Sequence, residues 1–223
     1  MTTGFDPFPV LLSLKVATAS LLLVTPIGIG LALLQARRHY RLSALVDALI
    51  MLPLVLPPSV VGYFLIVLLG RRGVVGAWLA GSFDITLIFT PTAAVIASTV
   101  VALPLLAKTA QPAIEAVPVE YENVARTLGL GPVAVLLRVT LPTAWRGIAA
   151  AMALAFARAA GEFGATLMFA GNIPGLTNTM PLEIYAAYQS GQDSRALLYV
   201  AILSGLSCMV VFLSSRLSPG RDQ

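Results

Sequence analysis

Long apolar runs alternate with short polar connections along the whole chain. Each run is close to the ~20 residues that an α-helix needs to cross a bilayer. Five such runs lie at residues 10–34, 44–69, 85–106, 147–169 and 196–213. The charged residues inside them are Lys15, Asp47, Arg158 and Glu162. The pattern predicts an all-α membrane protein with about five transmembrane helices in a single domain, residues 1–223.

The composition argues against a soluble globule. Hydrophobic residues make up 58% of the 223 positions and charged residues 11%, against roughly 25% charged in an average soluble domain. A soluble fold with this content would expose a large apolar surface. Cys208 is the single cysteine, which excludes a disulfide or a cysteine-based metal site within one chain. The net charge of +4 comes from cations scattered among the connections, so it indicates membrane sidedness rather than nucleic-acid binding.

Lysine and arginine residues are unevenly divided between the two sets of connections. Because basic connections stay in the cytoplasm, we expect the N-terminus outside and the C-terminus in the cytoplasm. The segment before the first run has no Lys or Arg, so we expect a retained span rather than a cleaved signal peptide. The basic set is Arg37, Arg38, Arg41, Lys108, Arg126, Arg138, Arg146, Arg216 and Arg221, and the other set is Arg71, Arg72 and Arg195.

The connection at residues 107–146 is unusual because charges interrupt its apolar sequence. Pro118 opens a predicted helix that ends near Leu128, and Gly129 stands where a left-handed C-terminal cap would lie. A turn and a second short apolar helix follow, and the next span begins at Leu141. Its place on the basic side predicts a cytoplasmic docking loop. The alternative is a solvated turn.

One face of the predicted helix is apolar, because four apolar residues recur at helical spacing. Such a helix, lying across the membrane normal, can seat in a cleft of a partner and transmit its movement to the spans. The apolar stripe consists of Val117, Tyr121, Val124 and Leu128. Polar contacts around it are expected from Glu115, Glu122 and Arg126.

The same connection resembles the signature loop of permease subunits of ABC importers. In that signature a Glu-Ala-Ala triplet begins six residues before a glycine, and an apolar-x-Leu-Pro motif ends thirteen residues after it. Gly129 takes the glycine position, and residues 139–142 (VTLP) take the ending. The triplet reads Asn123-Val124-Ala125, with Glu122 one residue early. The resemblance implies ATPase-coupling residues at Glu115, Glu122, Asn123, Ala125, Arg126, Gly129, Leu141 and Pro142.

Three further stretches look like the molybdate ABC transporter permease family. They are LPLVLPPSVVGYFLIVLLGRRG (52–73), ARTLGLG (125–131) and FARAAGEFGATLMFAGNIPGLTNTMPLEIY (156–185). The resemblance covers residues 10–213. Sulfate permeases share the Glu-Phe-Gly step at 162–164, but the segments 172–175 (NIPG) and 180–182 (MPL) fit molybdate better. A permease for sulfate or another tetrahedral oxyanion is the alternative.

This resemblance implies the type I ABC importer permease architecture, in a bacterial inner membrane, and import of molybdate or tungstate. It implies a homodimer with the pathway between the copies, two cytoplasmic ATPase subunits and an extracytoplasmic molybdate-binding protein. The sequence contains no Gly-x-x-x-x-Gly-Lys-Ser/Thr phosphate loop, a motif that binds nucleotide phosphates. ATP and Mg²⁺ are therefore expected on the partner ATPase, and no cofactor is expected on this chain.

Arg158 and Glu162 are candidates for a site within the membrane. Counted from Gly147 at ~1.5 Å per residue, Arg158 lies ~16 Å into the fourth run, where charges face protein or a water-filled path. Four residues apart on a helix, the two side chains can pair. They either line the anion pathway or form a structural ion pair. Ser59 and Thr166 are candidates for hydroxyls along the path, although most such hydroxyls bond their own helix backbone.

Two irregular segments are predicted. Pro53, Pro57 and Pro58 interrupt the hydrogen-bond ladder of the second run and kink it, either as a gating hinge or as a tolerated irregularity. In the 171–195 connection, residues 181–189 predict a short interfacial helix with Tyr185 and Tyr188 at headgroup level.

Two other functional classes fit the sequence less well. An intramembrane enzyme needs a nucleophile and a base, a carboxylate pair or a metal cluster. His39 is the only histidine and lies in a basic connection, and Glu162 is the single deeply placed carboxylate. A passive anion channel would leave the 107–146 connection without a purpose.

Overall fold

The computed structural model describes residues 5–36 and 42–217, and every regular element in these ranges is helical. This confirms the fold class expected from the apolar runs. In the described ranges, four helices are long and apolar enough to cross a membrane, and a bent pair makes a fifth candidate. The four are Phe8–Ala36, Pro91–Glu115, Pro132–Ala160 and Asp193–Arg216. The sidedness predictions for Arg37, Arg38, Arg41 and Arg221, and the prediction for His39, lie outside the described residues.

The elements follow one another with short connections. The first half comprises α1 (Phe8–Ala36), α2 (Ser43–Val55), α3 (Pro58–Leu69), α4 (Val74–Phe83) and α5 (Pro91–Glu115). The second half begins with α6 (Val119–Thr127), α7 (Pro132–Val135), a π-helical turn (Leu136–Thr140) and α8 (Leu141–Ala160). It ends with α9 (Gly164–Phe169), α10 (Met180–Gln189) and α11 (Asp193–Leu217). Because α7, the π-helical turn and α8 follow without interruption, they form one span.

The second apolar run is broken rather than continuous. α2 and α3 meet at 108°, with Leu56 and Pro57 between them. Two consecutive prolines explain the break: neither Pro57 nor Pro58 has a backbone N–H for the ladder, and Pro58 suits the first turn of a new helix. Pro53 is accommodated inside α2. The predicted kink is confirmed, and the single span predicted at 44–69 is corrected to two helices.

The third span begins later than residue 85, where the sequence placed it. Asp84 and Phe89 adopt left-handed backbone conformations, with φ of 54° and 60°, and such residues do not continue a right-handed helix. Thr90 then caps α5, since its hydroxyl accepts a hydrogen bond from the Ala93 N–H at 3.2 Å. Pro91 follows in the first turn.

The same helix also ends later, at Glu115 rather than at Leu106. Lys108 forms an ion pair with Asp47 of α2 and donates to Gln111 at 3.2 Å. Gln111 in turn donates to Glu115 at 2.7 Å. Because these polar groups find partners within the fold, the helix continues past the apolar run. Residues 107–115 therefore belong to the helix of the span and not to the docking loop.

The fourth span begins earlier than Gly147. The predicted second short helix of the docking loop is the beginning of this span, since helical structure runs unbroken from Pro132 to Ala160. The helix then breaks at residues 161–163 and resumes as α9. The single span predicted at 147–169 is therefore corrected to a longer helix, a break and a short helix. The loop between α5 and this span shrinks to residues 116–131.

Small residues bring the long helices close together, as expected in a membrane. α1, α5 and α8 pack against one another. A Cβ on Gly28 of α1 would stand 2.4 Å from Leu106, and one on Gly147 of α8 would stand 2.3 Å from Ala113. The alanine-rich α8 thus packs against a neighbouring span. The fully buried alanines of α5 and α8 include Ala102, Ala110, Ala151 and Ala155.

α10 confirms the short helix predicted in the 171–195 connection. Tyr188 is exposed and Tyr185 partly so, and their placement at headgroup level stays a prediction. The connection is fixed to the bundle at its base: Ser13 of α1 accepts a hydrogen bond from the Met180 N–H at 2.7 Å. Buried Glu183 pairs with Arg195 at 2.6 Å.

Candidate functional site

α6 lies in the connection between α5 and the fourth span, and one of its faces is apolar and exposed. Glu120 and Glu122 lie in its first turn and Arg126 in its last, which matches the helix dipole. Val117, predicted as part of the apolar stripe, is buried instead, because it precedes the helix and packs in the same core cluster as residues of α5. The remaining stripe residues and Val119 are between 47% and 75% exposed: Val119, Tyr121, Val124 and Leu128.

The end of α6 is the left-handed cap that the sequence predicted. Gly129 has a φ of 86°, and the Leu130 N–H donates to the Ala125 carbonyl at 3.1 Å, which satisfies a carbonyl at the helix end. Among the described residues, nothing lies within 4 Å of where a Gly129 Cβ would stand. Glycine is therefore needed at this position for its backbone conformation and not for space.

Glu122 lies on the opposite, buried face of α6. Its carboxylate accepts a hydrogen bond from Thr140 Oγ1 at 2.9 Å through Oε1, and its Oε2 lies 3.2 Å from Arg126 Nη2. The sequence placed Glu122 among the polar contacts for a partner, but the structure turns it into the fold. One residue along a helix is a rotation of ~100°, so a glutamate one position early faces a different direction from the motif's own glutamate.

The motif position itself is exposed. Asn123 stands there and accepts a hydrogen bond from Arg126 Nη1 at 3.2 Å. Ala125 is buried on the same side as Glu122. In the VTLP motif at residues 139–142, Leu141 packs against the core, and Pro142 is exposed in the first turn of α8. Glu115 belongs to the polar chain that joins α5 to α2.

Arg158 and Glu162 form the predicted ion pair, with Arg158 Nη1 2.8 Å from Glu162 Oε2. The geometry differs from the prediction, because Glu162 lies beyond the end of α8, in the break before α9. Its second oxygen, Oε1, accepts a hydrogen bond from the Ala165 N–H at 2.8 Å. Glu162 thus holds the last turn of α8 and the first turn of α9 together. Its side chain is 1% exposed, against 27% for Arg158.

The depth expected for Arg158 also changes. Because the helix begins at Pro132, Arg158 lies ~39 Å along it, well beyond the ~16 Å counted from Gly147. Its position near the end of α8 puts it in the half of the span that is farther from α6.

The two helix breaks pack against each other. A Cβ on Gly164 of α9 would stand 2.9 Å from the Pro58 Cβ and 3.4 Å from the Ser59 N of α3. Ser59 is exposed in the first turn of α3, whereas Thr166 is buried in α9. The structure therefore brings Ser59 to the break that Glu162 holds.

Thr140 was not among the residues that the sequence singled out. It is 3% exposed, and its hydroxyl forms the hydrogen bond to Glu122. The two residues are far apart in sequence, and a threonine beside a span usually bonds its own backbone. The VTLP ending was the one signal that marked this position.

The comparisons with known proteins agree with this architecture. The chain is 43% identical to the molybdenum transport system permease protein ModB of Escherichia coli K12 over 206 residues, covering 92% of this chain and 90% of that one. ModB of Mycobacterium tuberculosis H37Rv is 40% identical over 222 residues, with 100% and 84% covered. The putative molybdenum transport system permease protein YvgM of Bacillus subtilis 168 is 38% identical, with 92% and 90% covered.

Solved structures share the fold at low sequence identity. An inward-facing structure of the MetNI methionine ABC transporter aligns with a TM-score of 0.69 at 18% identity, covering 94% of this chain and 92% of that one. An amino acid ABC transporter crystallised with histidines aligns with a TM-score of 0.60, also at 18% identity, covering 97% and 100%. Residues 25–221 match a protein family described as "binding-protein-dependent transport system inner membrane component". The chain is a member of this family of inner-membrane transport components.

Proposed function

We propose that this chain is the membrane permease subunit of an ATP-driven importer of molybdate or tungstate. The observation that carries the proposal is the identity of 38–43% to molybdenum transport permeases over nearly the whole chain. A homodimer would enclose the pathway between its copies, since one chain with four or five candidate spans makes a narrow bundle. An extracytoplasmic binding protein would deliver the anion.

The exposed face of α6 supports docking to a partner ATPase. Tyr121, Val124 and Leu128 offer apolar surface outside the core, and an amphipathic helix of this kind seats in a groove of its partner. ATP and Mg²⁺ would be bound by that partner, whose closure would move α6 and the spans attached to it. With the basic connections in the cytoplasm, α6 would face the ATPase.

The anion pathway is best placed beside the two packed helix breaks. Ser59 is exposed there, and its hydroxyl suits a tetrahedral oxyanion because it can donate a hydrogen bond. Thr166 is buried, so it would reach the path only if α9 moved. Arg158 and Glu162 act chiefly as the ion pair that fixes the break, since both carboxylate oxygens of Glu162 are engaged within the fold.

Substrate choice is tested by ATP hydrolysis in the purified complex with its binding protein. We expect binding protein loaded with molybdate or tungstate to stimulate hydrolysis and sulfate-loaded protein to leave it at the basal rate. Stimulation by sulfate alone would replace the proposal with the sulfate permease. The matched control is the same complex with binding protein free of anion.

ATPase docking is tested with a pair of neighbouring variants. Val124→Asp places a charge in the exposed apolar face and should abolish co-purification of the ATPase. Thr127→Asp adds the same charge at another exposed position of α6, outside the coupling residues that the resemblance implies, so it should leave co-purification intact. Equal recovery of the ATPase with both variants would exclude the apolar face as the docking surface.

A further inference from the structure

A buried hydrogen bond joins α6 to the beginning of the fourth span. Thr140 Oγ1 donates to Glu122 Oε1 at 2.9 Å, and the two residues are 3% and 6% exposed. They lie 18 positions apart, on opposite sides of the turn that contains Gly129. The contact is therefore tertiary and not part of either helix.

Thr140 stands at a special place in its own helix. It is the last residue of the π-helical turn Leu136–Thr140, which separates α7 from α8. A π-helical turn inserts an extra residue into an α-helix and is frequently found at functional sites. It also changes which side chains face a neighbouring helix, because each residue after the turn is rotated relative to a regular α-helix. Thr140 is thus both the last residue of the π-helical turn and the residue that bonds to α6.

The carboxylate of Glu122 is held from both sides. Thr140 donates to Oε1, and Arg126, one turn later in α6, lies 3.2 Å from Oε2. A hydrogen bond to a charged group in a buried place is stronger than one between neutral groups, and its loss leaves a polar group without its partner. The bond is well suited to keep α6 at a fixed orientation on α8.

We infer that Thr140 and Glu122 are positioning residues, which transmit the movement of α6 to the fourth span without touching the ATPase. The inference rests on the proposed function, since it requires that an ATPase moves α6. α6 spans only Val119–Thr127 and is linked to both spans by short turns. Without this bond, the short turns and the packing of buried Ala125 would hold α6 less firmly, and it would rotate more easily in the cleft of its partner. The bond to Thr140 makes α6 and α8 one lever.

The test compares three threonine variants in the reconstituted complex. Thr140→Val keeps the side-chain shape and removes the hydroxyl, and Thr140→Ser restores a hydroxyl. Thr143→Val is the matched control, because Thr143 is exposed nearby and its hydroxyl donates to the Val139 carbonyl at 2.7 Å. The readouts are ATPase co-purification, stimulated ATP hydrolysis and anion imported per ATP hydrolysed.

We expect Thr140→Val to bind the ATPase normally and to hydrolyse ATP, while the anion imported per ATP falls about tenfold, as loss of a bond to a buried charge predicts. Thr140→Ser and Thr143→Val should keep the wild-type ratio. Should Thr140→Val fail to assemble, Thr140→Ala decides the question, since it also removes the hydroxyl, places no second methyl group beside the carboxylate, and should lower the ratio about tenfold as well.

An unchanged ratio in Thr140→Val, or in Thr140→Ala where the first variant does not assemble, would overturn the inference. Equal losses in Thr140→Val and Thr143→Val would also overturn it, because the hydroxyl to Glu122 would then have no separate role. Failure of the proposed function looks different: the wild-type chain itself would neither bind an ATPase nor import anion.

Discussion

Glu162 shows how one carboxylate can organise a break in a membrane helix. It accepts from Arg158 on α8 and from the Ala165 N–H of α9, and its side chain is almost completely buried. Removing either partner of a buried ion pair leaves a charge uncompensated, which typically costs ~3–5 kcal/mol. The pair is therefore expected to matter for assembly before it matters for transport.

The pair is tested by single and double replacement. Arg158→Met and Glu162→Gln alone should each reduce the amount of assembled dimer, because each disturbs the pairing of a buried charge. The double variant should restore assembly, since Gln keeps an acceptor for the Ala165 N–H and neither residue is charged. Measured as uptake per assembled dimer, the double variant should transport at close to the wild-type rate. Good assembly with little uptake would show instead that the pathway requires the Arg158 charge.

Gly129 is tested against a nearby glycine in an ordinary conformation. Gly129→Val should misplace α6, because a β-branched residue at a φ of 86° is strained by roughly 1–2 kcal/mol. Gly131, with a φ of −70° and open space around it, should tolerate Gly131→Val. We expect the first variant to form dimers but to lose binding-protein-stimulated ATP hydrolysis. Normal hydrolysis in Gly129→Val would mean that the cap does not orient the helix.

At the residue scale the sequence predicted local features better than contacts between distant elements. The positive φ of Gly129 followed from a rule about helix ends, and the pairing of Arg158 with Glu162 followed from their spacing. The inward direction of the Glu122 side chain could not be predicted in this way. Which face of α6 a residue occupies depends on how the helix packs, and a shift of one position turns the side chain by ~100°. Its partner Thr140 lies in another element, which local spacing cannot identify.

At the scale of the elements, α3 and α9 pack closely where α3 carries a glycine in place of a larger residue. A Cβ on Gly62 of α3 would stand 2.6 Å from the Met168 Cβ and 3.0 Å from the Ala165 Cα of α9. The Met168 Cβ and the Ala165 Cα both sit at the α9 backbone, so neither can swing aside as the end of a long side chain would. The two broken spans therefore meet along a surface that depends on glycine.

Gly62→Ala is expected to destabilise this contact. An extra methyl group in a tightly packed site usually costs about 1–3 kcal/mol, and the gain in helix propensity does not offset it. Gly81→Ala is the control, because Gly81 lies in α4 with nothing described within 4 Å of its missing Cβ. Thermal unfolding in detergent should give a lower midpoint for Gly62→Ala and an unchanged or higher one for Gly81→Ala. Equal unfolding midpoints for the two variants would show that the α3–α9 contact does not contribute to stability.

Helix boundaries were the weaker part of the element-level prediction. The number of apolar runs and the proline break could be predicted, because both follow from composition and from the missing proline N–H. The extension of α5 to Glu115 depends on the Lys108–Asp47 ion pair with α2. The early start of the fourth span depends on packing that lets a π-helical turn join α7 to α8. Both are tertiary effects that a pattern along one chain does not contain.

For the whole molecule, orientation is the prediction on which docking of α6 depends. Single cysteines in a Cys208→Ala background test it in intact cells with a membrane-impermeant thiol reagent. Cysteines at the exposed positions Arg72 and Tyr188 should be labelled from outside, and one at the exposed position Arg126 only after the membrane is permeabilised. Labelling of the Arg126 position in intact cells would put α6 on the wrong side for an ATPase.

A chain of contacts connects α6 to the helix break between α8 and α9. α6 presents apolar surface at one end, and Thr140 ties it to the span that carries Arg158. Near the far end of α8, Glu162 holds the break that α9 shares with α3. A movement imposed on α6 would therefore reach the break along a single continuous helix.

The most direct measurement is anion uptake into proteoliposomes that contain this chain, its ATPase and the loaded binding protein. We predict that radiolabelled molybdate accumulates only with ATP on the ATPase side, and that Val124→Asp abolishes accumulation while Thr127→Asp does not. Uptake that proceeds without ATP, or that persists in Val124→Asp, would contradict an importer driven through α6.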